Sequence, residues 1–340
     1  MALLDARGVN VSYRPSRGQR IWSVRDVDIA LERAEFVGLV GESGCGKTTL
    51  GYALTAMLRP PARLDSGTIM FDGADISGLR GEALRRQRRN GFALVLQASM
   101  NALNPVRTIG RHFSDIARAH GRTGDDLSTQ GIASRATDQL RQVSLDPDVL
   151  RRFPHELSGG MRQRVTIALA LALEPRMIVF DEPTTALDVI VQRAVLATIK
   201  DLQRQKGFTA ILISHDLAAV LDATDRVMVM YAGRIVEDQP AADLVGKGPH
   251  HPYTEALLRC YPDPRASEIQ LGGIPGSPPD LSLQPAGCPF TPRCPLAEEI
   301  CREQDPPLAP LGRGQAACHV RTRATRTEVG GTEVGAGHVQ

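Results

Sequence analysis

Aromatic residues are scarce in this chain: Phe, Trp and Tyr together make up 4% of 340 residues, with one tryptophan. Stacking platforms for single-stranded nucleic acid need such rings, so that role is disfavoured. An excess of one charge is also lacking. The chain carries 40 basic and 38 acidic residues, a formal net charge of +2. That balance gives no general attraction to nucleic acid, and no nucleic-acid partner is expected. No apolar run approaches the roughly 18–20 residues that cross a bilayer. The start, MALLDARGVNVSYRPS, lacks the charged-then-apolar order of an export signal. The chain is expected to stay in the cytosol, so any membrane role must come through a partner.

What is present points to a folded, chemically active protein. Hydrophobic residues make up 42%, enough for a real core. The length suggests two domains, or one domain with appendages. There are six cysteines, and four of them fall between 288 and 318. In a reducing cytosol such clustering favours metal binding over disulfides.

The segment that organises the rest is Gly41–Thr48, G-E-S-G-C-G-K-T, which fits the phosphate-binding pattern G-x-x-x-x-G-K-[ST] without a mismatch. The apolar run Phe36–Val40 before it reads as a buried strand, and Thr49–Leu54 after it reads as the start of a helix. Gly41, Gly44 and Gly46 let the backbone turn sharply and aim its N–H groups at a phosphate. Lys47 suits the β- and γ-phosphates of ATP, and the Thr48 hydroxyl suits Mg²⁺. The whole set of loop candidates for nucleotide binding is Gly41, Ser43, Gly44, Cys45, Gly46, Lys47, Thr48 and Thr49. Cys45 occupies a free position of the motif, where alkylation of an accessible thiol would block ATP.

The chain in order supports an α/β fold. Residues 7–13 and Val27–Leu31 alternate like strands, so an antiparallel layer precedes the loop. Tyr13, at the end of the first strand, reads most simply as a half-buried strand residue. Ser66–Gly73 reads as a strand closed by an Asp-Gly turn. Arg80–Arg89 is a basic run, most simply a solvated helix face, or else a contact for a partner or for lipid headgroups. Phe92–Gln97 is a buried strand with a polar end. Residues 98–165 read as a helical insertion, with helical spacing over Ile109–Ala119 and Ile132–Val143. A long helix is expected over Arg162–Leu173. Arg176–Asp181 is an apolar strand that delivers Asp181 and Glu182 to its carboxyl end, where ligands bind in open α/β sheets. Asp181 suits Mg²⁺. Glu182 sits on the same strand end, where alternation aims it elsewhere and suits it to activate water. Helix Val191–Gln205, strand Thr209–Ser214 leading to His215, and a hairpin over 226–237 follow. The result is a mostly parallel sheet covered on both faces. Residues 246–287 are rich in Pro and Gly and read as irregular, and the tail 321–340 reads as disordered.

Taken together, the motifs resemble the ATP-binding subunit of an ABC transporter. They stand in the family's order: the Gly41–Thr48 loop, Gln97, L157-SGGMRQR, M177-IVFDE, A186-LD and His215. The match covers about residues 5–240, within an ATPase domain over 1–245. L-S-G-G followed by Q-R discriminates, because ordinary phosphate-loop NTPases lack it. The resemblance implies catalytic roles for Glu182, His215 and Gln97, with Gln97 also near the metal, and adenine stacking on Tyr13. It also implies that Ser158, Gly159 and Gly160 cap the γ-phosphate held by an opposite subunit, with Asp188 at that interface. Gln97–Pro105, Pro249–Leu258 and the segment Cys288–Cys301 are similar to the dipeptide/oligopeptide/nickel import group, whose C-terminal extension would cover 246–320. Ala98 departs from the acidic residue often found there, and an effect on partner contact is expected. The implied partners are two membrane-spanning permease subunits, a second ATPase subunit (a heterodimer favoured over a homodimer) and, indirectly, an extracytoplasmic solute-binding protein. The implied place is the cytoplasmic face of the inner membrane. Nickel, glutathione or another small solute remain alternative cargoes. A soluble ABC ATPase of a phosphonate-degrading complex, or one acting on ribosomes or DNA repair, are rivals from other classes.

Cys288, Cys294, Cys301 and Cys318 are separated by five, six and sixteen residues. Zinc ribbons favour C-x₂-C pairs, so zinc fits poorly. Four thiolates can hold an iron–sulfur cluster, and members of the resembled group are similar to cluster-bearing proteins in this segment. A [4Fe–4S] cluster is expected at these four, with zinc or unmetallated thiols as alternatives. Cys260 lies outside the set and is expected to be a buried thiol.

Overall fold

Alternating apolar and polar residues build strands β1 (Leu4–Tyr13) and β2 (Ile21–Leu31), which pair antiparallel. In this computed structural model, residues 2–16, 18–96, 103–121, 126–185, 187–246, 248–260 and 273–323 are described. Strand β4 (Ala62–Phe71) joins the other edge of β1, and the short β5 (Ala74–Asp75) closes a hairpin through Asp72 and Gly73. These strands form a four-stranded layer in the order β2-β1-β4-β5.

The second sheet holds the chemistry. Its centre is made of β3 (Phe36–Val40), β6 (Phe92–Val95), β7 (Met177–Asp181), β8 (Thr209–Ile213) and β9 (Arg226–Tyr231), paired in parallel. Strands β3, β7 and β8 are buried along their whole length, which is why they read as unbroken apolar runs. The pleat sends alternate residues to two cores. Val37, Leu39, Val179 and Ile211 face the antiparallel layer and helix α1 (Lys47–Leu54). Phe36, Val40, Ile178, Phe180 and Leu212 face helices α5 (Gly159–Leu171), α6 (Val189–Lys206) and α7 (Leu217–Ala223). Each such side chain contributes about 1.5–3 kcal/mol of burial, so the strand ends that carry polar groups are held firmly.

The expected insertion contains α3 (Ile109–His120) and α4 (Thr129–Gln142), whose Ile109, Phe113, Ala136 and Leu140 join the core on the α5 face. The basic run forms α2 (Gly81–Gly91); its first turns are exposed, and Arg88 is tied back to the Ala56 carbonyl.

The C-terminal region is less irregular than its composition suggests. Strand β10 (Arg234–Pro240) pairs with β9, and the short α8 (Ala241–Leu244) follows it. Pro252 starts helix α9 (Pro252–Arg259), a proline at a first helical position where no N–H is needed. After the short helix α10 (Ile300–Glu303), β11 (Ala309–Leu311) and β12 (Gly314–Ala316) add to β10, so the main sheet runs β11-β12-β10-β9-β3-β8-β7-β6. The extension therefore continues the ATPase sheet. Residues 324–340, most of the expected tail, lie outside the described residues.

His250 and His251 seat α9 and give this region an expected pH response. The buried Glu237 carboxylate meets His250 Nδ1 at 2.9 Å and accepts the His251 N–H at 2.9 Å. The bond to Glu237, opposed by burial, raises the His250 pKa above its usual 6.5. Burial lowers His251 from 6.5 to about 3, and its Nδ1 accepts the Tyr253 N–H, which requires the neutral ring. The two act in different windows. His250 stabilises below its unfolded pKa and loses that contribution as pH rises through its folded pKa. His251 costs nothing above 6.5, and its burial becomes destabilising as pH falls from 6.5 toward 3. The loss at pH 5 is about 2 kcal/mol from His251 alone. Thermal unfolding between about pH 5 and 8 should show stability falling on the acid side, with a shallower acid limb in His251→Phe.

Candidate functional site

Strand β3 ends at Val40, and the chain turns through the phosphate loop into α1. Gly46 makes the last turn with φ 111°, a left-handed conformation. A Cβ there would lie 2.0 Å from the Ser23 carbonyl oxygen and 2.9 Å from Met230 Cε. Lys47 is 6% exposed, and its Nζ donates to the Gly41 carbonyl at 2.7 Å and the Glu42 carbonyl at 2.9 Å. The lysine thus lies folded over its own loop. Ser43 and Gly44 form the exposed rim.

Cys45 is not the open position suggested by the motif. It is 6% exposed, and burial pushes its thiol pKa up despite the nearby Lys47. Alkylation at this position is therefore disfavoured. Cys260, expected to be buried, is only half-buried, with its thiol against the Ala256 carbonyl at 3.3 Å.

The Thr48 hydroxyl donates to Asp181 Oδ1 at 2.9 Å, so two oxygen donors from α1 and β7 meet beside the loop. Asp181 is buried; burial raises its pKa most, the Thr48 bond opposes this, and Glu182 raises it further. A divalent cation at these hard oxygens would relieve that cost, so the pair fits Mg²⁺. Thr49 accepts from Ser23 at 3.0 Å and lies 3.0 Å from the Tyr13 hydroxyl. Tyr13 is thereby fixed beside the first turn of α1.

Glu182 diverges from Asp181 for a different reason than strand alternation. Strand β7 stops at Asp181, and Glu182 adopts φ 46°. For a residue with a Cβ this left-handed conformation costs about 1–2 kcal/mol. It is held by the Glu182 N–H, which donates to the Ile213 carbonyl at 2.9 Å. The carboxylate Oε2 accepts from Thr185 Oγ1 at 2.6 Å and meets His215 Nδ1 at 2.9 Å. His215 is exposed, so a strand-end histidine joins the carboxylate and still faces outward. Gln97 and Ala186 lie outside the described residues.

Ser158 caps α5 by accepting from the Met161 N–H at 3.3 Å, and Asp188 caps α6 by accepting from the Val191 N–H at 2.9 Å. A Cβ on Gly160 would lie 2.6 Å from Val191 Cγ1. The Ser158–Gly160 turn thus packs on the start of α6, beside Asp188. Among the described residues no hydrogen bond joins this turn to the Gly41–Thr48 loop.

The four C-terminal cysteines line one small cavity of about 10 Å³, together with His251, Phe290 and His319. Burial raises Cys288 to about 11 and also pushes up Cys294 and Cys318. Among the described residues, no three Cys, His, Asp or Glu side chains form a group able to hold a metal ion. The thiols converge on one space, but they do not form a ready single-ion site.

One feature of the site was not expected from the sequence. Glu42, inside the phosphate loop, is gripped by the C-terminal extension: Arg293 donates to both carboxylate oxygens at 2.8 and 3.0 Å, and the Glu42 N–H donates to the Tyr253 hydroxyl at 2.8 Å. The available signal was the arginine set between Cys288 and Cys294.

A glycine loop between a parallel strand and a helix, with Thr48 meeting a strand-end aspartate, defines a phosphate-loop nucleoside triphosphatase. The matches narrow that class. A family model described as ABC transporter matches residues 24–185, and one described as oligopeptide/dipeptide transporter, C-terminal region, matches residues 236–301. A Brucella melitensis protein named as a peptide import ATP-binding protein is 40% identical over 334 residues, 94% of this chain and 97% of that protein. A Sinorhizobium fredii protein named as a peptide ABC transporter ATP-binding protein is 43% identical over 310 residues, 90% of this chain and 85% of that one. Among solved structures, the dimeric ATP-binding cassette MJ0796 in a post-hydrolysis state with ADP and phosphate aligns with TM-score 0.62 at 25% identity, covering 70% of this chain and 98% of that one. The chain belongs to the ABC transporter ATP-binding family, and its activity is ATP hydrolysis.

Proposed function

We propose that this chain is the ATP-hydrolysing subunit that powers uptake of di- or oligopeptides through a pair of membrane-spanning permease subunits. The observation that carries the peptide reading is the match of residues 236–301 to the oligopeptide/dipeptide transporter C-terminal region. It is supported by relatives named for peptide import at about 40% identity over most of the chain. Among the described residues no helix is long and apolar enough to cross a membrane, so the route for the peptide belongs to partner subunits.

In this reading the loop N–H groups and Lys47 bind the phosphates of ATP, and Tyr13 stacks on the adenine. Lys47 turns from the carbonyls of Gly41 and Glu42 toward the phosphates as ATP enters. Thr48 and Asp181, with Gln97, would hold Mg²⁺, which supplies charge neutralisation at the phosphates when bound. Glu182 takes the proton of the attacking water, and His215 donates toward the γ-phosphate. Ser158, Gly159 and Gly160 offer backbone N–H groups at a helix start, an anion site for the γ-phosphate held by a second ATPase subunit. Asp188 lies at that contact. The apolar residues Val189 and Ile190 beside it are 65% and 82% exposed, an uncovered edge of the kind that a partner subunit buries. The second subunit is a related but different chain, and a solute-binding protein outside the membrane selects the cargo. A four-iron cluster at Cys288, Cys294, Cys301 and Cys318 would require the cavity they share, about 10 Å³, to widen around it. Iron and sulfide analysis after anaerobic purification tests it, and protein free of iron overturns it.

The function itself is tested by isolating the chain from detergent-solubilised membranes and measuring uptake of labelled peptides after its deletion. Recovery with two permease subunits, and lost peptide uptake, are expected. Recovery with soluble enzymes, or loss of nickel uptake with peptide uptake intact, would contradict the proposal.

A further inference from the structure

We propose that Arg293 is a positioning residue for the ATP site: acting through Glu42, it holds the phosphate loop in its nucleotide-binding shape. The cysteine-bearing extension is then a working part of the ATPase. The inference rests only on the loop binding ATP; it is independent of the cargo and of any metal at the thiols.

Three observations carry it. First, the contact is a two-pronged fork, with Arg293 Nη1 to Glu42 Oε2 at 2.8 Å and Nη2 to Oε1 at 3.0 Å, the geometry that fixes orientation as well as distance. Second, the arginine is itself rigid. Its side chain is 5% exposed, its Nε donates to the Pro275 carbonyl at 2.7 Å, and its guanidinium lies over the rings of Tyr231 and Phe290. Third, Glu42 is held at its backbone as well as its side chain: its N–H donates to the Tyr253 hydroxyl at 2.8 Å, a contact that does not depend on where Lys47 points. The back of the loop is thus bound by the extension at two points, while Ser43 and Gly44 on its open rim stay exposed.

A glycine-rich loop is costly to order, because glycine loses the most conformational freedom. A loop already held in shape gives up less when the phosphates arrive, and that difference appears as affinity. A contact that only docked the extension would change stability and leave the nucleotide affinity of the folded protein alone.

The test compares full-length wild type with Arg293→Lys, Glu42→Gln and the double variant. ATP binding is measured at equilibrium with Mg²⁺, steady-state hydrolysis gives KM and kcat, and thermal unfolding without nucleotide reports folding. Lysine and glutamine remove the fork while keeping bulk. Each single variant is expected to bind ATP about tenfold more weakly, with KM raised in proportion and kcat within about twofold. The double variant should be no weaker than the worse single one, because both act through one contact. Wild-type affinity in the folded variants, or losses that add in the double variant, would overturn the proposal. If Arg293→Lys does not fold, Glu42→Gln decides alone, since it leaves the packing of Arg293 on its rings intact. A Gly46→Ala control that still bound ATP would indict the loop assignment instead.

Discussion

Replacing Glu182 by Gln is expected to lower ATP turnover by about 10²–10⁴-fold, the usual worth of a positioned base, while ATP binding stays within about twofold of wild type. The exchange is nearly isosteric, and Thr185 and His215 still find a side-chain oxygen or amide at the same place. What disappears is the ability to take a proton from water. We assign this role to Glu182 in preference to Asp181. Asp181 is buried and tied to Thr48, whereas Glu182 is turned out of the strand by its left-handed backbone and is only partly buried. Single-turnover hydrolysis and equilibrium binding on one preparation separate the two effects. Turnover near the wild-type rate would mean that another group serves as base.

Gly46→Ala is expected to have the second large effect, loss of measurable ATP binding. The added methyl would lie 2.0 Å from the Ser23 carbonyl oxygen, a backbone atom of β2 that has no rotamer to yield. The backbone at φ 111° also disfavours any residue with a Cβ. The loop must therefore rebuild, and its N–H groups then no longer converge. Because the loop sits at the surface end of β3, the fully buried strands beneath it should keep the fold. Circular dichroism would check that the variant is folded. A folded Gly46→Ala protein with ordinary ATP affinity would show that the loop tolerates a conformation not seen here.

Much of this was legible in the sequence, and the reason lies in how local each signal is. The strands β3, β7 and β8 are buried on both faces, so they appear as plain apolar runs, and the phosphate loop is a contiguous motif, although the crowding at Gly41 and Gly46 comes from Ser23 and Met230, distant in sequence. The capping roles of Ser158 and Asp188 follow from their places before helices. Other features depend on contacts distant in sequence. Glu182 and Asp181 part because of a backbone turn that no residue type announces. Cys45 is buried because Gly41 and Lys47 fold over it, which the free position in the motif conceals. Helix α9 was hidden in a Pro-rich stretch because Pro252 sits where a helix tolerates it. The clamp on Glu42 joins residues 251 apart, and no periodicity or spacing could reveal it. The four cysteines read as a metal set from their clustering, their spacing and the resemblance to the import group; their placement gives a shared cavity without a ready ion site among the described residues.

The central claim is that one ATP binds at Gly41–Thr48 and is hydrolysed with Glu182 as base. Calorimetric titration of the purified full chain with ATP and Mg²⁺ tests it most directly. One site per chain is expected, retained in Glu182→Gln and lost in Gly46→Ala. Absence of a site in the folded wild type, or a site that survives Gly46→Ala unchanged, would contradict the account.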